Sequence, residues 1–287
     1  MSSTILLQAI INGLLLAGIY MIVSLGLNLI YGVMRIVNYS QGELLMFGMY
    51  FSYWLFVLTG INTYLSIPIV CGILFILGAL LHMYIVEPLL KLPYQSQVVT
   101  FVGLIYSLQY TALLLWSPNY RNVIIEFASK SIRLSVITIP LGRLLAALIS
   151  FFSALFLYIF LKKTTLGLFI RATSQDPVAA LMLGIDIKKV RILTFAIGSA
   201  LMGIGAGIML PLYYVYPFIG TYYTIIALII ITLGGLGNFL GTIIGSIIIG
   251  LVEAVFGTFI NVEIALAIAF LVFIFLLIVR PTGILGE

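Results

Sequence analysis

Charge is what this chain has least of. Of 287 residues only 13 are Lys or Arg and 8 are Asp or Glu, 7% in all, where a soluble domain carries about 25%. So few charged side chains cannot cover a water-facing surface, which excludes a soluble enzyme, a nucleic-acid binder and a disordered segment. Nucleic acid is accordingly not an expected partner, and the net charge of +5 reads as membrane topology instead. Cysteine is nearly absent: Cys71 stands alone in an apolar run, so no internal disulfide can form. The single histidine, His82, has no cysteine or carboxylate pair at ligand spacing, and neither a metal nor another cofactor is expected. No G-x-x-x-x-G-K-[ST] occurs, so the chain hydrolyses no nucleotide through a Walker site. Nor is there a nucleophile–base constellation, and an enzyme is not expected. The opening Met1-Ser2-Ser3-Thr4 lacks a basic stretch, and the first hydrophobic segment is expected to be a retained span rather than a removed signal.

What is present is hydrophobic sequence, 63% of the chain. Residues 1–34, 44–86 and 192–252 contain no Asp, Glu, Lys or Arg, and one helical crossing needs about 20 apolar residues. Segments 223–233 and 265–279 are apolar on every face, unlike the strands of a polar-lumen barrel. The fold class is therefore all-α, a polytopic helical membrane protein. Spans are expected near 5–31, 43–60, 66–86, 98–116, 138–161, 192–216, 239–258 and 263–279. A short piece at 222–233 is added, so about eight full transmembrane helices accompany one short or half-membrane helix. The whole of 1–287 reads as one transmembrane domain in the cell membrane.

The loop 162–191 carries Lys162, Lys163, Arg171, Lys188, Lys189 and Arg191 against Asp176 and Asp186. The positive-inside rule makes it cytoplasmic and places the N-terminus outside. The C-terminus falls inside only if the short piece crosses. Loop 117–137, with Arg121, Lys130 and Arg133 against Glu126, would then lie outside although it too is basic.

The 162–191 loop also predicts a helix of its own. Asp176 precedes Pro177 in the order of an N-cap and a first helical residue, and Gly184 stands where a left-handed cap would end two apolar turns. Ala179, Ala180 and Leu183 are expected on an exposed side. Such an apolar helix suits a partner groove or a bed of lipid headgroups.

Two polar, glycine-containing stretches interrupt the apolar sequence. The first holds Arg35, Asn38, Tyr39, Ser40, Gln41, Gly42 and Glu43; the second is Gly234-Gly235-Leu236-Gly237-Asn238. Paired breaks of this kind mark a translocation region, because unwound backbone survives at membrane depth only where it lines protein or water. Asn38, Gln41, Gly42, Glu43, Gly235, Gly237 and Asn238 are the candidate pathway residues, against the alternative of two surface loops with Arg35 reaching headgroups. Glu253 is a candidate intramembrane carboxylate. Arg143 and Glu263 are expected at the membrane surface. Tyr213, Tyr214, Tyr216, Tyr222 and Tyr223 read as an aromatic belt.

Together these strings resemble a known family. Asn12-Gly13-Leu14, Tyr20, Leu25 through Gly32 and Asn38-Tyr39-Ser40-Gln41-Gly42-Glu43 are similar to the opening of the branched-chain amino acid ABC importer permeases, in particular the smaller, H-like Liv-type membrane subunit. Arg171-Ala172, Asp176, Ala179-Ala180 and Gly184-Ile185 resemble that family's cytoplasmic coupling loop. Gly234 through Asn238 with Gly241, Thr242 and Gly245, and the ending Arg280-Pro281-Thr282-Gly283-Ile284, follow its pattern as well. The resemblance implies a type II-like ABC importer permease in which Arg171, Asp176, Ala179, Ala180 and Gly184 serve ATPase coupling. The implied partners are a second related permease, two cytoplasmic ATP-binding subunits and an extracytoplasmic substrate-binding protein. The family often has Phe-Ala-His or Phe-Ala-Gln where this chain has Tyr39-Ser40-Gln41. Branched-chain amino acids are the implied substrate, with urea, short amides or sugars as alternatives. An ion-coupled carrier working without ATPases is the alternative from another class.

Overall fold

The computed structural model describes residues 2–134 and 137–286. Met1 of the expected retained start, and Ser135 and Val136 of the 117–137 loop, lie outside the described residues. In chain order the elements are α1 (Ser2–Met34), α2 (Gln41–Thr59) and α3 (Thr63–Leu81). A π turn at His82–Val86 carries α3 into α4 (Glu87–Leu89), and α5 (Tyr94–Trp116) follows. After α6 (Glu126–Ser129), an antiparallel hairpin of β1 (Ser131–Leu134) and β2 (Ile137–Pro140) leads into α7 (Leu141–Lys163). The chain then runs through α8 (Thr165–Gln175), α9 (Pro177–Met182) and α10 (Ile187–Met209). It ends with α11 (Ile219–Gly234), α12 (Phe239–Phe259) and α13 (Val262–Val279).

Among the described residues, seven helices are long and apolar enough to cross a membrane: α1, α2, the continuous Thr63–Leu89 unit, α5, α7, α10 and α12. α11 and α13, of 16 and 18 residues, are shorter, near the lower limit of roughly 17–25 for a spanning helix. These nine apolar helices match the nine apolar segments of the sequence, with α13 joining α11 on the short side. The hairpin replaces the start of the expected 138–161 span, so α7 begins at Leu141.

α1 and α10 are buried along most of their length and form the centre, while α3, α5 and α7 show most of theirs to the surroundings. Exposed side chains such as Leu114, Phe156 and Ile76 suit a lipid-facing rim. Small residues let the central helices approach closely: Gly203 of α10 rests on the backbone of Cys71, and Gly250 of α12 on Ala17 of α1.

The two ends of the bundle are distinguished by contacts. Gln8 of α1 exchanges hydrogen bonds with the main chain of Thr138 in β2, in both directions at 2.8 Å, which puts the N-terminus beside the hairpin. At the opposite end Ser174 of α8 donates to the Gly32 carbonyl at 2.6 Å. The C-terminal tail reaches this second end too, where Ile284 and Leu285 donate to the carbonyls of Leu233 and Gly234 at 2.8 and 3.1 Å. The segment from Val215, paired with Arg121 at the hairpin end, through α11 therefore carries the chain to the opposite end, and the C-terminus shares a face with the 162–191 loop. Four basic residues, Arg121, Lys130, Arg133 and Arg143, sit at the hairpin end; the other nine of the 13 lie at the end with the loop. That imbalance agrees with a cytoplasmic loop, the basic 117–137 segment notwithstanding.

Candidate functional site

The first break is not a surface loop. α1 ends at Met34 because Arg35 turns into the left-handed region at φ 56°, which no residue with a Cβ enters cheaply. Residues 36–40 then climb back into the bundle. Gln41 Nε2 donates to the carbonyl of Gly198 at 3.0 Å, and Gly198 is the middle residue of α10. Gly26, eight residues before the end of α1, lies against the same Gln41 side chain. The unwound segment thus returns by about 12 Å, at 1.5 Å per helical residue, and α2 starts at mid-bundle depth.

Irregular backbone at that depth must satisfy its own polar groups. Asn38 does much of this. Its Oδ1 accepts from the main-chain N–H of Ser40 at 3.1 Å and from the Ser40 hydroxyl at 2.8 Å, while its Nδ2 donates to Gln41 Oε1 at 2.8 Å. The Gly42 N–H donates to Thr224 Oγ1 at 2.8 Å. A Cβ on Gly42 would land on the Gly220 carbonyl, so α2 and the first turn of α11 touch main chain to main chain. Glu43 completes the group: its Oε1 accepts from Gln109 Nε2 of α5 at 2.9 Å and from Thr221 Oγ1 at 3.1 Å, whereas Oε2 has no hydrogen-bond partner among the described residues. Asn38, Gln41 and Glu43 are fully buried, so this junction is closed in the structure.

The second break is elsewhere. Gly235 and Gly237 have φ of 107° and 83°, conformations that favour glycine, and they turn α11 into α12 at the end of the bundle that carries the 162–191 loop. Asn238 caps α12 by accepting from the Gly241 N–H at 2.8 Å and donates to the Leu285 carbonyl at 2.9 Å. The Gly237 N–H donates to Asn28 Oδ1 at 2.7 Å. The two breaks therefore lie at different depths of the bundle. Gly42 and Glu43 meet the start of α11, Gly235 follows its end, and 14 helical residues separate those points by about 21 Å. Gly235, Gly237 and Asn238 organise a turn at the loop end and hold the C-terminal tail.

Around that turn is a cavity of about 400 Å³, lined among others by Asn28, Gly32, Lys162, Arg171, Ser174 and Gly237. Arg171 thus faces the end of α1 rather than α9. Arg35 reaches the Ser174 carbonyl at 3.3 Å and joins the same cluster. Asp176 takes the N-cap position of α9, with Oδ1 accepting from the N–H groups of Val178 and Ala179 at 2.8 and 3.0 Å, and Gly184 adopts φ 82° after the helix. Ala180, expected on the exposed side, is instead buried at 2% exposure, because the inner face of this short helix packs on its own loop. Val178, Leu181, Met182 and Leu183 are the exposed apolar face, with Ala179 beside them. Asp186 caps α10; the Lys189 N–H, donating at 3.1 Å, holds its carboxyl below the usual carboxylate range.

One group escaped the sequence reading. Tyr20 of α1 donates to Glu253 Oε2 at 2.7 Å, and Tyr222 of α11 donates to Oε1 at 3.4 Å. These residues line a cavity of about 620 Å³ at the hairpin end, with Arg143, Tyr213 and Tyr216. Most of the expected aromatic belt therefore faces inward: Tyr223 is buried and Tyr214 is the exposed member. Burial pushes the Tyr213 and Tyr216 hydroxyls above their ordinary pKa, which keeps them neutral. Glu253 was the signal, since an ionisable group in an apolar helix demands partners.

With this geometry in place, residues 9–278 match the family described as branched-chain amino acid transport system / permease component. The chain belongs to that family. It is 28% identical to the high-affinity branched-chain amino acid transport system permease protein LivH of Salmonella typhimurium and to that of Escherichia coli, aligned over 98% of this chain and 96% of each relative. The corresponding protein BraD of Pseudomonas aeruginosa is 26% identical over the same shares. No solved structure matches the chain at a significant level. As a member of this permease family the chain is a multi-pass membrane protein and a component of a transport system.

Proposed function

We propose that the chain is the translocating permease of an ATP-driven importer for branched-chain or related apolar amino acids, with 1–287 as one unit and 162–191 as its coupling segment. Its partners on this reading are a second related permease, two cytoplasmic ATP-binding subunits and an external substrate-binding protein; hydrolysis belongs to the ATP-binding subunits. The names of the relatives support the substrate. The observation that carries the ATP-driven reading is α9, a rigidly capped helix whose outward face is Val178, Leu181, Met182 and Leu183. Water-facing helices have no use for such a face, and a protein groove does.

A mechanical route leads from it. α9 continues from α8, α8 holds the end of α1 through Ser174 to Gly32, and α1 leads directly into the buried break. Displacement of α9 by a nucleotide-driven partner is thereby delivered to Asn38–Gln41 and to the α2–α11 contact, which opens and closes the path. Gln41, Gly42 and Glu43 are the pathway residues on this reading, with Asn38 as their support.

The test uses Met182→Glu and Leu183→Glu, side chains 82% and 81% exposed in the chain alone. Both should leave the permease folded, since exposed substitutions stay within about 0.5 kcal/mol. Both should reduce co-purification of the ATP-binding subunits and uptake at least tenfold. Wild-type ratios of co-purified ATPase together with normal uptake would remove the coupling assignment. Ala180→Glu is a poorer probe, because it would disrupt the loop itself.

A further inference from the structure

The tyrosine-lined cavity at the hairpin end contains an acidic and a basic side chain that form no ion pair with each other. Glu253 is 9% exposed, and its partners are the hydroxyls of Tyr20 and Tyr222. It has no cation beside it among the described residues. Arg143, on α7 across the same cavity, forms no ion pair among the described residues either. A buried carboxylate is costly without a counter-charge, and direct pairing with the half-buried Arg143 would be the simple remedy. Instead both line one cavity of about 620 Å³ without pairing, a volume inside the range of roughly 300–1,000 Å³ usual for small-molecule sites.

We propose that this cavity is an outer binding station for a zwitterionic α-amino acid, with the ligand's ammonium at Glu253 and its carboxylate toward Arg143. The hydroxyls of Tyr20 and Tyr222 orient the Glu253 carboxylate, and the tyrosine rings offer aromatic faces to the ammonium and to an apolar side chain. One dipolar ligand supplies both missing counter-charges, which neither a simple cation nor a simple anion does. The station is joined to the closed break by consecutive residues of α11: Gly220 and Thr221 touch Gly42 and Glu43, and Tyr222 touches Glu253. Along α1, Tyr20 stands six residues outward of Gly26, which contacts Gln41; that is about 9 Å. A ligand held at Tyr222 is thus one helical turn from the contact that must part to let it through.

The inference rests on the importer reading, and the experiment separates the two. The full complex with its external binding protein is reconstituted in vesicles, and uptake of labelled leucine and ATP hydrolysis are measured together. Glu253→Gln and Arg143→Gln should each lower leucine moved per ATP hydrolysed at least tenfold, Tyr222→Phe about threefold, and Glu253→Asp should recover most of the loss. A merely structural role would lower uptake and hydrolysis in proportion and leave the ratio unchanged, which would overturn the station, as would wild-type ratios in all four variants. Should Glu253→Gln fail to assemble, Arg143→Gln and Tyr222→Phe decide by the same ratio. If the wild-type complex moves another zwitterionic amino acid instead of leucine, with the same dependence on Glu253 and Arg143, the branched-chain substrate falls and the station stands.

Discussion

The two breaks in this chain look alike as sequence and differ as structure. Both combine glycine with asparagine between long apolar runs. The stretch around Asn38 re-enters the bundle and is sealed by α5, α10 and α11, with every member of the Asn38–Ser40–Gln41 cluster bonded to another or to main chain. The stretch around Gly235 remains at the end of the bundle beside the 162–191 loop, pinned by the C-terminal tail and by Asn28. The first uses glycine for close approach between helices, the second for backbone conformations with positive φ. Interruption of a hydrophobic run marks where a helix stops; the depth of the stop depends on which helices offer partners.

The comparison is open to direct attack, beginning with Gly42→Leu. Any Cβ there strikes the Gly220 main chain and the Thr224 hydroxyl, which cannot swing aside as a flexible side chain would. Overpacking costs about 1–3 kcal/mol in yielding cores, and more against backbone. Uptake at matched membrane levels should fall at least tenfold, with Gly42→Ala intermediate. Normal uptake by Gly42→Leu would return the first break to the status of an ordinary loop.

Asn38→Leu comes next in size. It strands Gln41 Oε1 and the Ser40 N–H and hydroxyl in a dry interior, each buried unpaired group costing about 1–3 kcal/mol. The expected result is a lowered thermal midpoint of the purified permease together with impaired uptake. An unchanged midpoint would mean that water reaches this cluster.

Gly235→Ala tests the other break. At φ 107° a non-glycine residue costs about 1–3 kcal/mol, and its Cβ would press on the Gly286 main chain. The consequence should be local: faster proteolysis of the tail after Arg280, with uptake reduced less than threefold. Loss of uptake as complete as that of Gly42→Leu would show that the two breaks work as one after all. The smallest effect belongs to Asn238→Ala, which removes an N-cap for about 1 kcal/mol, and Asn238→Ser should restore it.

A good deal of the candidate site was legible beforehand. Asp176, Pro177 and Gly184 announced a short capped helix because caps are local chemistry, set by residues two to three positions apart. Glu43 and Gln41 drew notice as polar groups in apolar surroundings. The inward face of Ala180 was not legible, since a helix of six residues has no periodicity long enough to reveal which side packs. The tyrosines around Glu253 were hidden for a related reason: Tyr20 and Tyr222 are 202 positions apart, and a row of tyrosines near a span end looks the same facing lipid or facing a carboxylate.

What the sequence determined by itself is what depends on composition and neighbours along the chain. Sparse charge demanded a bilayer, run lengths set the nine apolar helices, basic residues chose a side, and strings of local motif carried the family. What only the tertiary structure decided is depth and partnership. Residues 36–40 turn back into the bundle and lead to Gln41, Gly42 and Glu43, whose partners Gly198, Thr224, Gln109 and Thr221 wait there. The second break stays at the end because Asn28 and the tail satisfy it there. In an apolar medium an unpaired main-chain group costs several kcal/mol, so the position of a break is chosen by distant helices that supply its hydrogen bonds.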